Sequence, residues 1–100
     1  MSKNPDWYDG LKHIWLPYTQ MKTASPPLAA AKTNGTRITL ADGRELVDGI
    51  ASWWTASHGY NHPHIAAAVQ KQLETMPHVM LGGLVHEQAL TLARRLCDLL

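Results

Sequence analysis

Between residues 28 and 47 the pattern of apolar and polar side chains is β-like, in three runs at 28–33, 36–40 and 44–47. Asn34-Gly35 and Asp42-Gly43 separate the runs. Both dipeptides are strong hairpin signals, because the two central positions of a tight turn need positive φ. Along the middle run Thr36, Ile38 and Leu40 share one face, while Arg37 and Thr39 share the other. The pattern predicts a three-stranded antiparallel meander with one packed face and one wet face.

After Pro63 the period becomes helical: Ile65, Val69, Leu73 and Met76 recur at spacings of four, four and three. Proline suits a first helical turn, where its missing N–H does no harm, and Asn61 or His62 would cap it. Pro77 closes this helix, and residues 78–85 form a loop around Gly82-Gly83. Residues 86–100 read as a second helix with Ala89, Leu92, Ala93, Leu96, Leu99 and Leu100 on one side. The sequence stops inside that stripe without a Gly, Asn or Pro stop signal, so it is expected to be the N-terminal part of a longer protein. Upstream, residues 5–14 suit a short helix or turn anchored by Trp7, Tyr8, Leu11, Ile14 and Trp15. Pro17 should then leave residues 16–19 extended, and Ser25-Pro26-Pro27 is a further break.

One hundred residues suffice for one small domain. Nine Lys/Arg face eight Asp/Glu with no basic run, which argues against nucleic acid or an anionic membrane as a partner. No apolar stretch approaches the roughly 20 residues that span a bilayer. The first ten residues carry no signal-peptide core. A single cysteine, Cys97, cannot form an internal disulfide and fits a reducing compartment, so the cytoplasm is the expected location.

Candidate chemistry concentrates in residues 49–61, an irregular or partly helical segment that holds Trp53 and Trp54. Each indole needs a large apolar site and an acceptor for its N–H, and a loop held between two regular elements is where binding residues tend to sit. The segment therefore suggests a pocket wall. Neighbouring side chains of an extended segment face opposite ways, so only one ring should enter a given cavity unless the backbone turns. The plainer reading is that both rings are core. Tyr18, beside Pro17, either lines a pocket or fills space.

Other residues suggest less. His58, His62 and His64 lie close together, but Gly59 opposes the helical path that would align them, and no cysteine pair or acidic cluster completes a metal set. Capping and packing are the better expectation for them. Gly82-Gly83 lacks the context of a phosphate cradle and should serve positive φ or a close backbone approach. Ser52 lacks a nucleophile-elbow sequence, and Cys97 is expected to be a buried, inert thiol.

Three blocks, HIWLPYTQM at residues 13–21, the stretch 42–63, and HVMLGGLVHEQA at residues 78–89, together resemble the adenosylmethionine–8-amino-7-oxononanoate aminotransferases. That family belongs to the class III branch of the fold-type I pyridoxal-phosphate enzymes. The resemblance covers nearly everything from Lys12 onward. The D-G…L-x-D-G pattern and the Gly-Tyr-x-His-Pro run indicate only the superfamily, whereas the Trp-Trp pair and the Pro-Tyr-Thr block are more selective. Leu16, Leu81, Val85 and Gln88 depart from the family pattern, and Val85 removes a hydroxyl that relatives could use for a hydrogen bond.

The resemblance implies an α/β fold in which the small domain begins with an antiparallel meander followed by helices. Residues 1–24 would be an N-terminal arm carrying the substrate-pocket tyrosine. Residues 25–85 would be the meander, Trp-Trp segment and helix of the small domain, and 86–100 the helix that leads into the large domain. By resemblance Trp53 contacts substrate, Trp54 belongs to the same apolar wall, and Tyr18 touches the oxo-acid and stacks on adenine. Gly82 and Gly83 would approach the active site across a homodimer interface. The family reaction is a ping-pong transamination from S-adenosylmethionine to 8-amino-7-oxononanoate on pyridoxal 5'-phosphate held by a lysine. Lys12, Lys22, Lys32 and Lys71 match no such lysine, so catalytic and cofactor-binding residues are expected beyond this chain, and the piece alone should be inactive. A class III ω-amino-acid:pyruvate aminotransferase is the close alternative. A non-catalytic interaction module is the other, should the chain be complete.

Overall fold

The computed structural model describes residues 4–100, which divide into a first compact unit running through Pro63 and a second from His64 to Leu100. In the first unit a 3-10 helix, Asp6–His13, follows Pro5 and is tied down when the Tyr8 hydroxyl donates to the Pro27 carbonyl at 2.5 Å. Of the apolar anchors expected here, Tyr8 and Leu11 are half-buried while Trp7, Ile14 and Trp15 are exposed.

The meander forms as expected: β1 (Ala30–Asn34), β2 (Arg37–Leu40) and β3 (Glu45–Val47) pair antiparallel in the order β1-β2-β3. Ile38 faces Leu46 across β2 and β3, on the side that Leu40 shares. Leu40, 4% exposed, and Ala29 are the buried apolar residues among those described. They meet where Ala41 N–H donates to the Ala29 carbonyl at 2.7 Å, just past a register shift between Ala30 and Lys32.

Both hairpin loops differ from the expected two-residue Asn-Gly and Asp-Gly turns. Asn34 pairs with Arg37, so the first loop is Gly35-Thr36, with Gly35 at φ 55. Only glycine adopts positive φ there, and Asn34 stays on the strand. In the second, Leu40 N–H donates to the Arg44 carbonyl and Gly43 N–H to the Leu40 carbonyl, leaving a three-residue loop closed by Gly43 at φ 90. The Asp42 side chain sets this form by accepting from Arg44 N–H at 3.0 Å and from its guanidinium at 2.8 Å. Residues 16–19 are likewise a turn and not extended, with Tyr18 at φ 50 and the Thr19 hydroxyl donating to the Pro17 carbonyl. Proline restricts the residue before it and leaves the one after it unconstrained.

In the second unit the helices are Pro63–Thr75 and Glu87–Asp98. His86 caps the latter, its Nδ1 accepting from Ala89 N–H at 3.4 Å. Asn61, one of the two residues expected to cap the former, sits at φ 57 with its Oδ1 accepting the Thr33 hydroxyl at 2.7 Å. Ile65, Val69 and Leu73 on one helix and Leu90, Leu92 and Leu96 on the other remain exposed, as does Leu99 just past its end. Cys97 is exposed too, contrary to the buried thiol expected, because nothing among the described residues covers that helix face.

Candidate active site

Asp48 leaves β3 with its N–H donating to the Thr36 carbonyl at 2.8 Å, which prolongs the β2–β3 ladder by one rung. Its carboxylate then organises the segment that begins at Ile50. Oδ1 accepts from Ile50 N–H at 3.1 Å, and Oδ2 accepts from Ser52 N–H at 2.8 Å and from the Ser52 hydroxyl at 3.3 Å. The Tyr60 hydroxyl also donates to Oδ2, and Ser52 Oγ is hydrogen-bonded to the same phenol. The Tyr60 hydroxyl, aided by the Ile50 and Ser52 groups and opposed by desolvation, holds the Asp48 carboxyl below the usual carboxylate range. Donation to that carboxylate pushes the Tyr60 phenol upward, against a lowering by the Ser52 hydroxyl.

The segment so held is a left-handed turn. Ala51, Ser52, Trp53 and Trp54 have φ of 48, 44, 55 and 72°, with ψ of 54° at Ser52 and 56° at Trp53. Ala56 N–H closes it on the Ala51 carbonyl at 2.9 Å, and the Thr55 hydroxyl donates to the Ser52 carbonyl at 2.7 Å. Each L-residue in this region costs about 1–2 kcal/mol, so four cost roughly 4–8 kcal/mol, which the surroundings must offset. The far end is fixed as well: Gly35 N–H donates to the Tyr60 carbonyl at 2.9 Å and Tyr60 N–H to the Gly35 carbonyl at 2.8 Å.

The turn separates the two indoles. Trp53 meets Tyr18 edge to face, with ring centroids 5.7 Å apart and planes at 77°. Such a pair contributes about 0.5–1.5 kcal/mol beyond the area it buries. Trp53, 52% exposed, also lines an open hollow of about 360 Å³ with Ile38, Asp48, Ile50 and Ser52. Trp54 is 87% exposed and Tyr18 97% exposed, and neither lines that hollow. Two of the three expected aromatic residues therefore meet, and the third stands apart. Asp48 and Tyr60 escaped sequence reasoning, and Ser52 was weighed there only as a nucleophile. The available signal was Asp48-Gly49, an Asx-turn dipeptide directly after a strand.

Gly82 and Gly83 lie in the second unit, in the bend between its helices. Gly83 has φ 83, and a Cβ added at either glycine meets no described atom within 4 Å. Among the described residues no group of three or more His, Cys, Asp or Glu is placed to hold a metal, and no helix is long and apolar enough to cross a membrane.

The family profile "Aminotransferase class-III" matches residues 18–100. The chain is 47% identical over 88 residues to the adenosylmethionine-8-amino-7-oxononanoate aminotransferase of Synechococcus elongatus, a match covering 88% of this chain and 21% of that protein. It is 45% identical over 91 residues to the enzyme of the same name from Corynebacterium glutamicum, covering 88% of this chain and 20% of that one. The crystal structure of the like-named Methanocaldococcus jannaschii enzyme superposes with a TM-score of 0.84 at 28% identity, over 94% of this chain and 22% of the other. An amine transaminase from an uncultivated Pseudomonas species, in its PLP-bound internal aldimine form, gives 0.75 at 28% identity over 86% of this chain and 20% of that one. The chain spans about a fifth of the length of the curated relatives it matches.

Proposed function

The chain belongs to the class-III aminotransferases and has the α/β fold of fold-type I pyridoxal-phosphate enzymes, and from that premise we propose that it forms part of a transaminase of biotin synthesis. The complete polypeptide transfers the amino group of S-adenosylmethionine to 8-amino-7-oxononanoate, giving 7,8-diaminononanoate. The observation that carries this reading is the Tyr18–Trp53 edge contact beside an open hollow. One pocket must accept in turn a long aliphatic oxo-acid and a cationic sulfonium nucleoside. Flat aromatic faces serve both, by apolar contact with the first and by stacking and cation–π attraction with the second. Trp54 lies apart from this contact and hollow, so its place in the same wall rests on the family resemblance alone.

The residues lining the hollow do not fit pyridoxal 5'-phosphate as its main holders: none is a lysine, and none is a cation that would pair with phosphate. The cofactor's anchoring is therefore assigned to residues outside this chain. Residues 1–24 are assigned to an N-terminal arm, 25–85 to the small domain and 86–100 to the lead-in to the large domain. Gly82 and Gly83 are assigned to a homodimer interface near the active site, and the enzyme to the cytoplasm.

The test is steady-state kinetics of the complete polypeptide with both substrates. Trp53→Ala should raise KM for each by about tenfold and leave cofactor absorbance unchanged, while Tyr18→Phe acts in the same direction more weakly. Wild-type kcat/KM in both variants would show the pocket assignment to be wrong. The likeness to an amine transaminase supports a second reading, an ω-amino-acid:pyruvate aminotransferase. An acceptor screen decides between the two, since only the second reading expects pyruvate to be a good acceptor.

A further inference from the structure

Building on that reading of the pocket, we infer that Asp48, with Tyr60 and Ser52, is a latch that holds the left-handed turn Ala51–Trp54 and so positions the Trp53 indole against Tyr18. Asp48 lines the hollow, yet its carboxylate is already engaged. Ile50 N–H, Ser52 N–H and the Tyr60 hydroxyl all donate to it, with the Ser52 hydroxyl in reach of both acid and phenol. A carboxylate has about four acceptor sites, so this one has little capacity left for a substrate ammonium or for proton transfer. Its role is positioning.

The turn needs such a holder. The four residues Ala51, Ser52, Trp53 and Trp54 include no glycine or asparagine, the types that enter the left-handed region at low cost. Released, the segment would relax to negative φ, and the direction of the Trp53 side chain would change with it. Both ends of the latch are referenced to the sheet: Asp48 N–H is bonded to the Thr36 carbonyl, and Tyr60 is bonded in both directions to Gly35. The indole is thereby indexed to the β1–β2 hairpin. Low pKa at Asp48 and high pKa at Tyr60 agree with a donor phenol on an ionised acid.

The experiment uses the complete polypeptide and four variants: Asp48→Asn, Tyr60→Phe, Trp53→Ala and the double variant D48N/W53A. Asp48→Asn places an amide donor where an acceptor is required and should raise KM for S-adenosylmethionine and for the oxo-acid by about tenfold, with kcat within about twofold. Tyr60→Phe, which removes only one oxygen, should shift KM in the same direction by less and keeps the question answerable if D48N does not fold. In D48N/W53A the KM should equal that of W53A alone, because a latch has nothing left to position. Hydrogen exchange at the Ser52 amide should accelerate by about tenfold or more in D48N. The latch is refuted by unchanged KM in D48N and Y60F where W53A raises it, by additive effects in the double variant, or by unchanged Ser52 exchange. If W53A itself leaves KM unaltered, the pocket reading fails, and Ser52 exchange alone then decides the latch.

Discussion

Ala51→Gly should stabilise the segment that contains it, although the same change in an ordinary helix does the reverse. Ala51 sits at φ 48 and opens the left-handed turn, with its carbonyl accepting from Ala56 N–H at 2.9 Å. Relief of the left-handed penalty is worth about 1–2 kcal/mol, and the added chain entropy of glycine returns about 0.5–1 kcal/mol of it. The lost methyl, half-buried, removes at most about 0.4 kcal/mol. The net is a gain of roughly 0.5 kcal/mol. Ala67→Gly, in the exposed right-handed helix Pro63–Thr75, should instead lose about 1 kcal/mol. Hydrogen exchange on the complete polypeptide reads both locally, at the Ala56 amide and at the amides of the helix's middle turn. The contrast of roughly 1.5 kcal/mol is about a tenfold difference in relative exchange rate. Faster exchange at Ala56 in A51G, of the size seen in the helix for A67G, would refute the assignment of strain to this turn.

The same geometry sets two further outcomes. The Asp48 carboxyl is lowered in the folded chain, so its contribution is complete above the ordinary value of about 4 and disappears as pH falls through the folded value below it. The Tyr60 phenol is raised, so its contribution is complete below about pH 10 and disappears as pH rises through the folded value above it. The Ser52 amide protection factor should therefore fall on the acid side of the Asp range, and the tyrosinate absorbance that is lost in Y60F should appear above the ordinary phenol value of about 10. Gly83→Ala should cost about 1–2 kcal/mol, since its φ of 83 is strained for any side chain, while Gly82→Ala should be near neutral, as read by denaturation midpoints. A loss of kcat/KM in G82A without a loss of stability would show that the open side of this bend is filled in the assembled protein.

Strand and helix positions were legible because they depend on local period and on breakers such as Pro63 and Pro77. The loops were legible only to within a residue. Whether Asn34 or Thr36 joins Gly35 in the turn is decided by pairing with Arg37, and Asp42 lengthens its loop through bonds to Arg44. The left-handed turn was not legible at all: Ala-Ser-Trp-Trp carries no residue that favours it. The turn is imposed by Asp48 and by Tyr60, eight residues beyond Ser52, so tertiary contact overrides local preference. Only one of the two indoles meets Tyr18 and the hollow, as expected for neighbours of an extended segment, although the backbone here turns. The Tyr18–Trp53 meeting was suggested by family resemblance, whereas spacing alone left it open.

The paired bonds between Gly35 and Tyr60 also impose an order of events when the chain folds. The β1–β2 hairpin closes over a few residues, but this junction joins positions about 25 apart and must wait for a much wider loop to close. A Cβ on Gly59 would come to 3.4 Å from the Gly35 carbonyl oxygen, so the late arrival docks against backbone with little room to spare. The hairpin can therefore nucleate without this junction, but Tyr60 has no edge to settle on until the hairpin exists.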